Sequence, residues 1–151
     1  MTTGGVKIQT SDDYETGVYL EDVSITSSLY PCLDLTKGGT ATVFIEGTNS
    51  FTDGRVYSSD YSSTSDNKGT LFCKGGLALC DIDGTSGSAT LSISQNYKSC
   101  IATKGNLLLE SGTYTLTSTA VAVYDSSEKD FNSPTCLRAD GNIVVDRKSV
   151  V

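Results

Sequence analysis

The segment "CIATKGNLLLESGTYTL", residues 100–116, decides the fold. It is apolar at Ile101, turns at Lys104-Gly105-Asn106, is apolar again at Leu107 and Leu109, turns at Gly112 and then alternates. Alternation marks a strand, because successive side chains point to opposite faces. The same order comes back three more times. "TKGG" at 36–39, "CKGG" at 73–76 and "ADGN" at 139–142 match the "TKGN" turn at 103–106. Each turn follows an apolar pair spaced by two: Leu33/Leu35, Leu71/Cys73, Ile101/Thr103 and Leu137/Ala139. Each precedes another: Val43/Ile45, Leu77/Leu79, Leu107/Leu109 and Ile143/Val145. A third strand completes the unit, as in "ATLSIS" (89–94) and "TYTLTS" (113–118), and a polar loop of variable length follows.

Three short strands per repeat with glycine at the corners predict an all-β, single-stranded right-handed parallel β-helix with about three strands per coil. Stacked coils would set equivalent residues about 4.8 Å apart, the spacing of neighbouring strands. Gly and Asn at the corners are expected to supply positive φ. The competing architecture is an antiparallel β-sandwich, which also uses short alternating strands and glycine turns. A sandwich would not repeat one order of strand, corner and strand.

The totals narrow the function. The chain has 151 residues, enough for one domain with a sizeable core. Its net charge is -7, with 11 basic residues against 18 acidic ones and no basic run, which disfavours nucleic acid. There is no histidine. That removes Ser-His-Asp and Cys-His nucleophilic sites and every histidine-ligated metal site. No stretch reaches the ~18 apolar residues of a membrane span. The opening "MTTGGVKIQT" lacks the parts of a signal peptide, so the chain is either cytoplasmic or lacks its true start.

The five cysteines, Cys32, Cys73, Cys80, Cys100 and Cys136, form no C-x-x-C. Cysteine usage leans towards an oxidising compartment. Counted back from the corners, Cys32, Thr70, Cys100 and Cys136 share one position of the repeat. A Cys100–Cys136 disulfide is geometrically possible on adjacent strands. A stack of small buried thiols is equally consistent.

Five segments in order, "VYLEDVSITSS", "TVFIEGTNSFTDG", "GTLFCKGGLALCDIDG", "NYKSCIATKGNLLLESGTYTLTS" and "CLRADGNIVVD", resemble a bacterial carbohydrate-binding family of the parallel β-helix type. That family was once catalogued as a domain of unknown function, and a clostridial member is a calcium-containing binder of acidic plant polysaccharide. The resemblance runs from about Gly5 to Val145. It implies a secreted or cell-surface protein that binds pectin-like or polygalacturonate-like acidic polysaccharide without catalysis, with calcium as cofactor. Two departures stand out. Where the family often has Gly-Ile-Lys, this chain has Cys100-Ile101-Ala102, so one outward lysine is missing, while Arg138 keeps the cation in the next repeat. After "GNIVVD" the family continues with Gly-Gly-Thr. Here "DRKSVV" follows, which matches the reading of a common sequencing adapter. The expected domain is therefore 1–145, with 146–151 a non-native tail and the natural protein longer.

The candidate sites follow. Asp53, Asp60 and Asp66 in the polar loop 52–69 are the candidate calcium ligands, since calcium takes six to eight oxygens. Asp81 with Asp83, and Asp125 with Glu128 and Asp130, are secondary acidic groups. Asp34, Phe72, Ala102 and Arg138 occupy equivalent outward positions, with Tyr97, Lys98 and Lys104 nearby. An aromatic ring can stack on a sugar and a cation can pair with a uronate. Arg138, Phe72, Tyr97, Lys98 and Lys104 are thus the candidate carbohydrate-binding residues. Two other readings stand beside this one. A structural segment of a surface adhesin or filament would need no ligand. A polysaccharide lyase would need a cation clustered with paired carboxylates, which the sequence does not display.

Overall fold

The computed structural model describes residues 4–56, 69–126 and 129–146. These residues are almost entirely strand and turn, with one short 3-10 turn at Gly84–Ser86. The first repeat comprises β1 (Val6–Gln9), β2 (Thr16–Glu21) and β3 (Ser24–Ser27). The second comprises β4 (Leu33–Lys37), β5 (Ala41–Glu46) and β6 (Thr48–Asp53). The third comprises β7 (Gly69–Cys73), β8 (Leu77–Asp81) and β9 (Thr90–Gln95), and the fourth β10 (Ser99–Thr103), β11 (Leu107–Leu109) and β12 (Thr113–Ser118). A small antiparallel pair, β13 (Val123–Asp125) and β14 (Asp130–Asn132), precedes β15 (Thr135–Ala139) and β16 (Ile143–Val145).

Each repeat gives one strand to each of three open, parallel sheets. The first sheet is ordered β1-β4-β7-β10-β15, the second β2-β5-β8-β11-β16 and the third β3-β6-β9-β12. All pairings inside them are parallel, which excludes the antiparallel sandwich. The apolar pairs predicted in the first sheet fall into register: Leu33, Leu71, Ile101 and Leu137 form one row, and Leu35, Cys73, Thr103 and Ala139 the next.

The second sheet differs from expectation by two residues. Ala41 and Val43, rather than Val43 and Ile45, pair with Leu77 and Leu79, so Ile45 faces Asp81. The corner of the second repeat is longer than that of the third. Residues 36–40 separate Leu35 from Ala41, whereas residues 74–76 separate their partners Cys73 and Leu77. Gly38, at φ +123°, lies within this longer corner. An even shift preserves the inward face, because side chains alternate with a period of two.

Positive φ comes as expected at corners between the second and third strands of a repeat, where Gly47 lies at +66° and Gly112 at +104°. At the corner between the first and second strands only Gly38 has it. The glycines of that corner are needed because backbones stack closely. Gly105 N–H donates to Gly75 O at 3.2 Å and Gly141 N–H donates to Gly105 O at 3.0 Å. A Cβ on Gly105 would lie 2.7 Å from Gly76 N and 2.9 Å from Gly75 C. Asn106 Oδ1 accepts the Asn142 N–H at 2.9 Å, tying one corner to the next.

Between the sheets lies one apolar core. Val43, Leu71, Leu79, Leu91, Ile101 and Leu107 are fully buried within it. The cysteines are free thiols. Cys32 and Cys100 lie in the core, and their thiols donate to Thr52 O at 3.4 Å and Thr117 O at 3.5 Å. Burial pushes the Cys100 thiol up to about 12, with the adjacent Cys136 thiol adding to the shift. Burial, followed by Asp53, pushes Cys32 to about 12 as well.

Leu79→Ala is expected to destabilise the fold by about 2–5 kcal/mol, the range for truncating a buried leucine. Gly105→Ala should cost well over the ~1 kcal/mol typical of a point substitution. Urea denaturation of both variants checks this. A near-neutral Gly105→Ala would mean that the corners do not need their close approach.

Candidate carbohydrate-binding site

The outward row of the first sheet is Lys7, Asp34, Phe72, Ala102 and Arg138, in that order. The structure divides it. Lys7 and Arg138, on the flanking strands, are exposed. Asp34, Phe72 and Ala102 in the middle are buried. Tyr97 and Lys98 are buried too, at the corner where the third sheet passes to the first.

That corner is built around an ion pair whose arginine the sequence reading passed over. Asp53 ends β6 with its side chain inward, in a row with Ser27, Gln95 and Ser118. Two residues later the chain returns Arg55 to the same carboxylate. Arg55 Nη2 lies 2.6 Å from Asp53 Oδ2, and Arg55 Nε lies 3.0 Å from both carboxylate oxygens. Both side chains are buried. Thr70 Oγ1 also donates to Asp53 Oδ2 at 3.0 Å, and Arg55 Nη2 donates to Gly69 O at 3.0 Å. The guanidinium carbon lies 4.4 Å from the centre of the Tyr97 ring, and Lys98 Nζ lies 5.5 Å from it. Cations over a ring face are attracted by its quadrupole. Tyr97 and Lys98 therefore serve a buried cation–π stack, where the sequence suggested a surface patch. The only clue in the sequence is the D-x-R spacing of Asp53 and Arg55, which is common in any polar loop.

These contacts bear on calcium. Asp53 does not fit a calcium ligand, since its oxygens face a guanidinium and a hydroxyl donor. Asp60 and Asp66 lie outside the described residues. Asp81 is buried, and its carboxylate accepts the Asp83 and Ala89 N–H groups, each at 2.9 Å. Asp130 is exposed and accepts the Phe131 N–H at 2.7 Å, while Glu128 lies outside the described residues. Among the described residues, no group of three or more Cys, Asp or Glu is placed to hold a metal ion.

Several cations lie at the corner between the first and second sheets. Lys74 and Lys104 immediately follow the paired residues Cys73 and Thr103. Their N–H groups continue the ladder, donating to Leu35 O and Cys73 O at 3.0 Å. Lys74 is exposed and Lys104 partly so. Lys104 Nζ lies 3.6 Å from Asp140 Oδ2. Arg138, two residues before Asp140, points to the same outward side. Lys74 was not among the expected residues, although the "CKGG" signal contains it.

The described residues thus form a stack of parallel sheets with exposed cations at one corner. A family described as carbohydrate-binding domain-containing protein matches residues 1–133, and the chain belongs to that family. Searches of the curated proteins and of the solved structures found no match. No described helix is long and apolar enough to cross a membrane.

Arg55→Ala would leave a buried carboxylate without its main partner. It is expected to cost about 3–5 kcal/mol of stability, measurable by chemical denaturation. A cost within about 0.5 kcal/mol would show that water replaces the guanidinium. Burial raises the Asp34 carboxyl above its ordinary value of 3.8, while Lys7 and then Arg55 oppose the shift. The folded state therefore binds the Asp34 proton more tightly than the unfolded chain does. Its contribution to stability falls as pH rises through the folded value. Asp34→Asn is expected to raise the melting temperature at pH 7, with the gain over wild type vanishing by about pH 3, where the acid is neutral in both states. A gain that persisted in acid would have another cause.

Proposed function

We propose that the chain is a non-catalytic module that binds acidic polysaccharide of the pectin or polygalacturonate class along the corner carrying Lys74, Lys104 and Arg138. The observation that carries this reading is the placement of three cations on one outward side of consecutive repeats. Neighbouring strands lie about 4.8 Å apart, so such cations can meet successive carboxylates of an extended polymer. Membership in the carbohydrate-binding family supports the class of ligand. The order of the three sheets supports a single-stranded right-handed parallel β-helix as the frame, with domain limits near 1–145. The proposal includes a secreted or cell-surface location, where such polymers are met.

Phe72, Tyr97 and Lys98 act in this reading as the support beneath the surface, and Arg138 and Lys104 as contacts. An acidic protein meeting an acidic polymer faces repulsion. Calcium bridging carboxylates on both partners would offset it, with Asp60 and Asp66 as the ligands this chain offers.

Immobilised polygalacturonate, beside neutral cellulose, tests the proposal in calcium and in excess chelator. Wild type is expected to bind polygalacturonate, more weakly as salt rises. Arg138→Ala and Lys104→Ala should each weaken binding by about tenfold or more, the worth of a charge-assisted hydrogen bond. Chelator that abolishes binding supports the calcium bridge, and unchanged binding removes calcium from the proposal. A folded chain that bound neither polymer would favour the structural adhesin segment. Release of unsaturated oligosaccharides would favour the lyase.

A further inference from the structure

The third sheet presents a face unlike the other two. Its outward residues are "SIT" (24–26), "SFT" (50–52), "SIS" (92–94) and "TLT" (115–117), taken at the first and third positions of each. Thr48, Thr90 and Thr113 add a third column on three of the strands. Every outward position on β3, β6, β9 and β12 is thus Ser or Thr, and all of them are exposed or half-exposed. The chain carries 29 charged residues, counting 11 basic and 18 acidic, yet none occupies an outward position of these four strands. Asp22 lies at the edge, where its carboxylate accepts the Thr48 N–H at 2.8 Å. The pairing runs unbroken through all four strands, without a bulge. The hydroxyls therefore form a grid of about 4.8 Å across the strands and about 6.6 Å along them.

The grid is also rigid. Ile25, Phe51 and Ile93 back it from the core and are nearly or fully buried. Seven of the eleven outward positions are threonine, which is branched at Cβ and restricted at χ1. Of the four serines, Ser50 Oγ donates to Ser24 Oγ at 3.1 Å, which orients both.

We propose that this face binds ice. A hydroxyl exchanging water for the hydroxyl of a dissolved sugar gains little, since the net worth of such a hydrogen bond is small. Sugar sites offset this with aromatic rings, amides or charges, and this face has none. The balance differs when the ligand is itself a lattice of water. A regular, uncharged grid of hydroxyls can hold first-layer waters in register with the lattice, while the threonine methyls keep disordered water out of the rows. Charges would disturb that layer by orienting water around themselves. The inference is independent of the polysaccharide reading, which uses a different face.

Ice-affinity partition tests it. The full chain, fluorescently labelled, is frozen slowly beside an inert protein of similar size, and ice-crystal shape and thermal hysteresis are recorded. Wild type is expected to enter the ice and shape the crystals. Thr52→Lys, at the centre of the grid, should fall to the level of the inert control, whereas Tyr19→Lys on the second sheet should behave as wild type. Ser92→Lys gives a second reading should Thr52→Lys lower the melting temperature. Exclusion of wild type from ice, or equal entry of both grid variants and wild type, would overturn the proposal. So would loss of polygalacturonate or cellulose binding in Thr52→Lys alongside exclusion of wild type from ice, since the face would then serve sugar. Unchanged polysaccharide binding in a variant that no longer enters ice supports the proposal.

Discussion

The structure depends on backbone-to-backbone contact at the corner between the first and second sheets. Gly75, Gly105 and Gly141 lie over one another so closely that a methyl group on any of them would meet the backbone of a neighbouring corner. The hydrogen-bond ladder runs through this corner without a break. It fixes which residue of one repeat lies over which residue of the next. Everything else follows from that register: the inward rows of leucine and isoleucine, the stacked cysteine thiols and the columns of Ser and Thr. No single repeat can bury its own apolar side chains, so the repeats hold only as a stack.

The three outward faces share this scaffold but not their chemistry. The first face is covered at its middle and carries cations only on its flanks and at the corner. The second sheet turns Tyr19, Phe44 and Glu46 outward. The third is an uncharged hydroxyl grid. A stack of this kind can carry several surfaces because inward positions alone set stability. Outward positions cost little to change.

The buried Asp53–Arg55 pair departs from that division. It lies where the inward row of the third sheet ends in polar residues, Ser27, Asp53, Gln95 and Ser118. Two charges removed from water are a weak source of stability, but losing one partner is costly. The pair, with Tyr97 and Lys98 stacked beside it, fixes how the chain passes from the third sheet to the first.

The sequence by itself determined the repeat, the strand order and the parallel pairing, because glycine corners and alternating apolar pairs depend only on local sterics and burial. The register of the first sheet was legible residue by residue. In the second sheet the corner of the second repeat hid its two extra residues, since an even shift leaves the alternation intact. The SxT-like columns were visible as strands, but nothing local shows that four of them align into one regular face. Tertiary structure alone decided which outward residues meet solvent. Arg138 and Phe72 hold the same position in the repeat, yet one is exposed and the other buried. The difference follows from place in the stack: Phe72 lies on β7, between β4 and β10, whereas Arg138 lies on β15, the last strand of the first sheet.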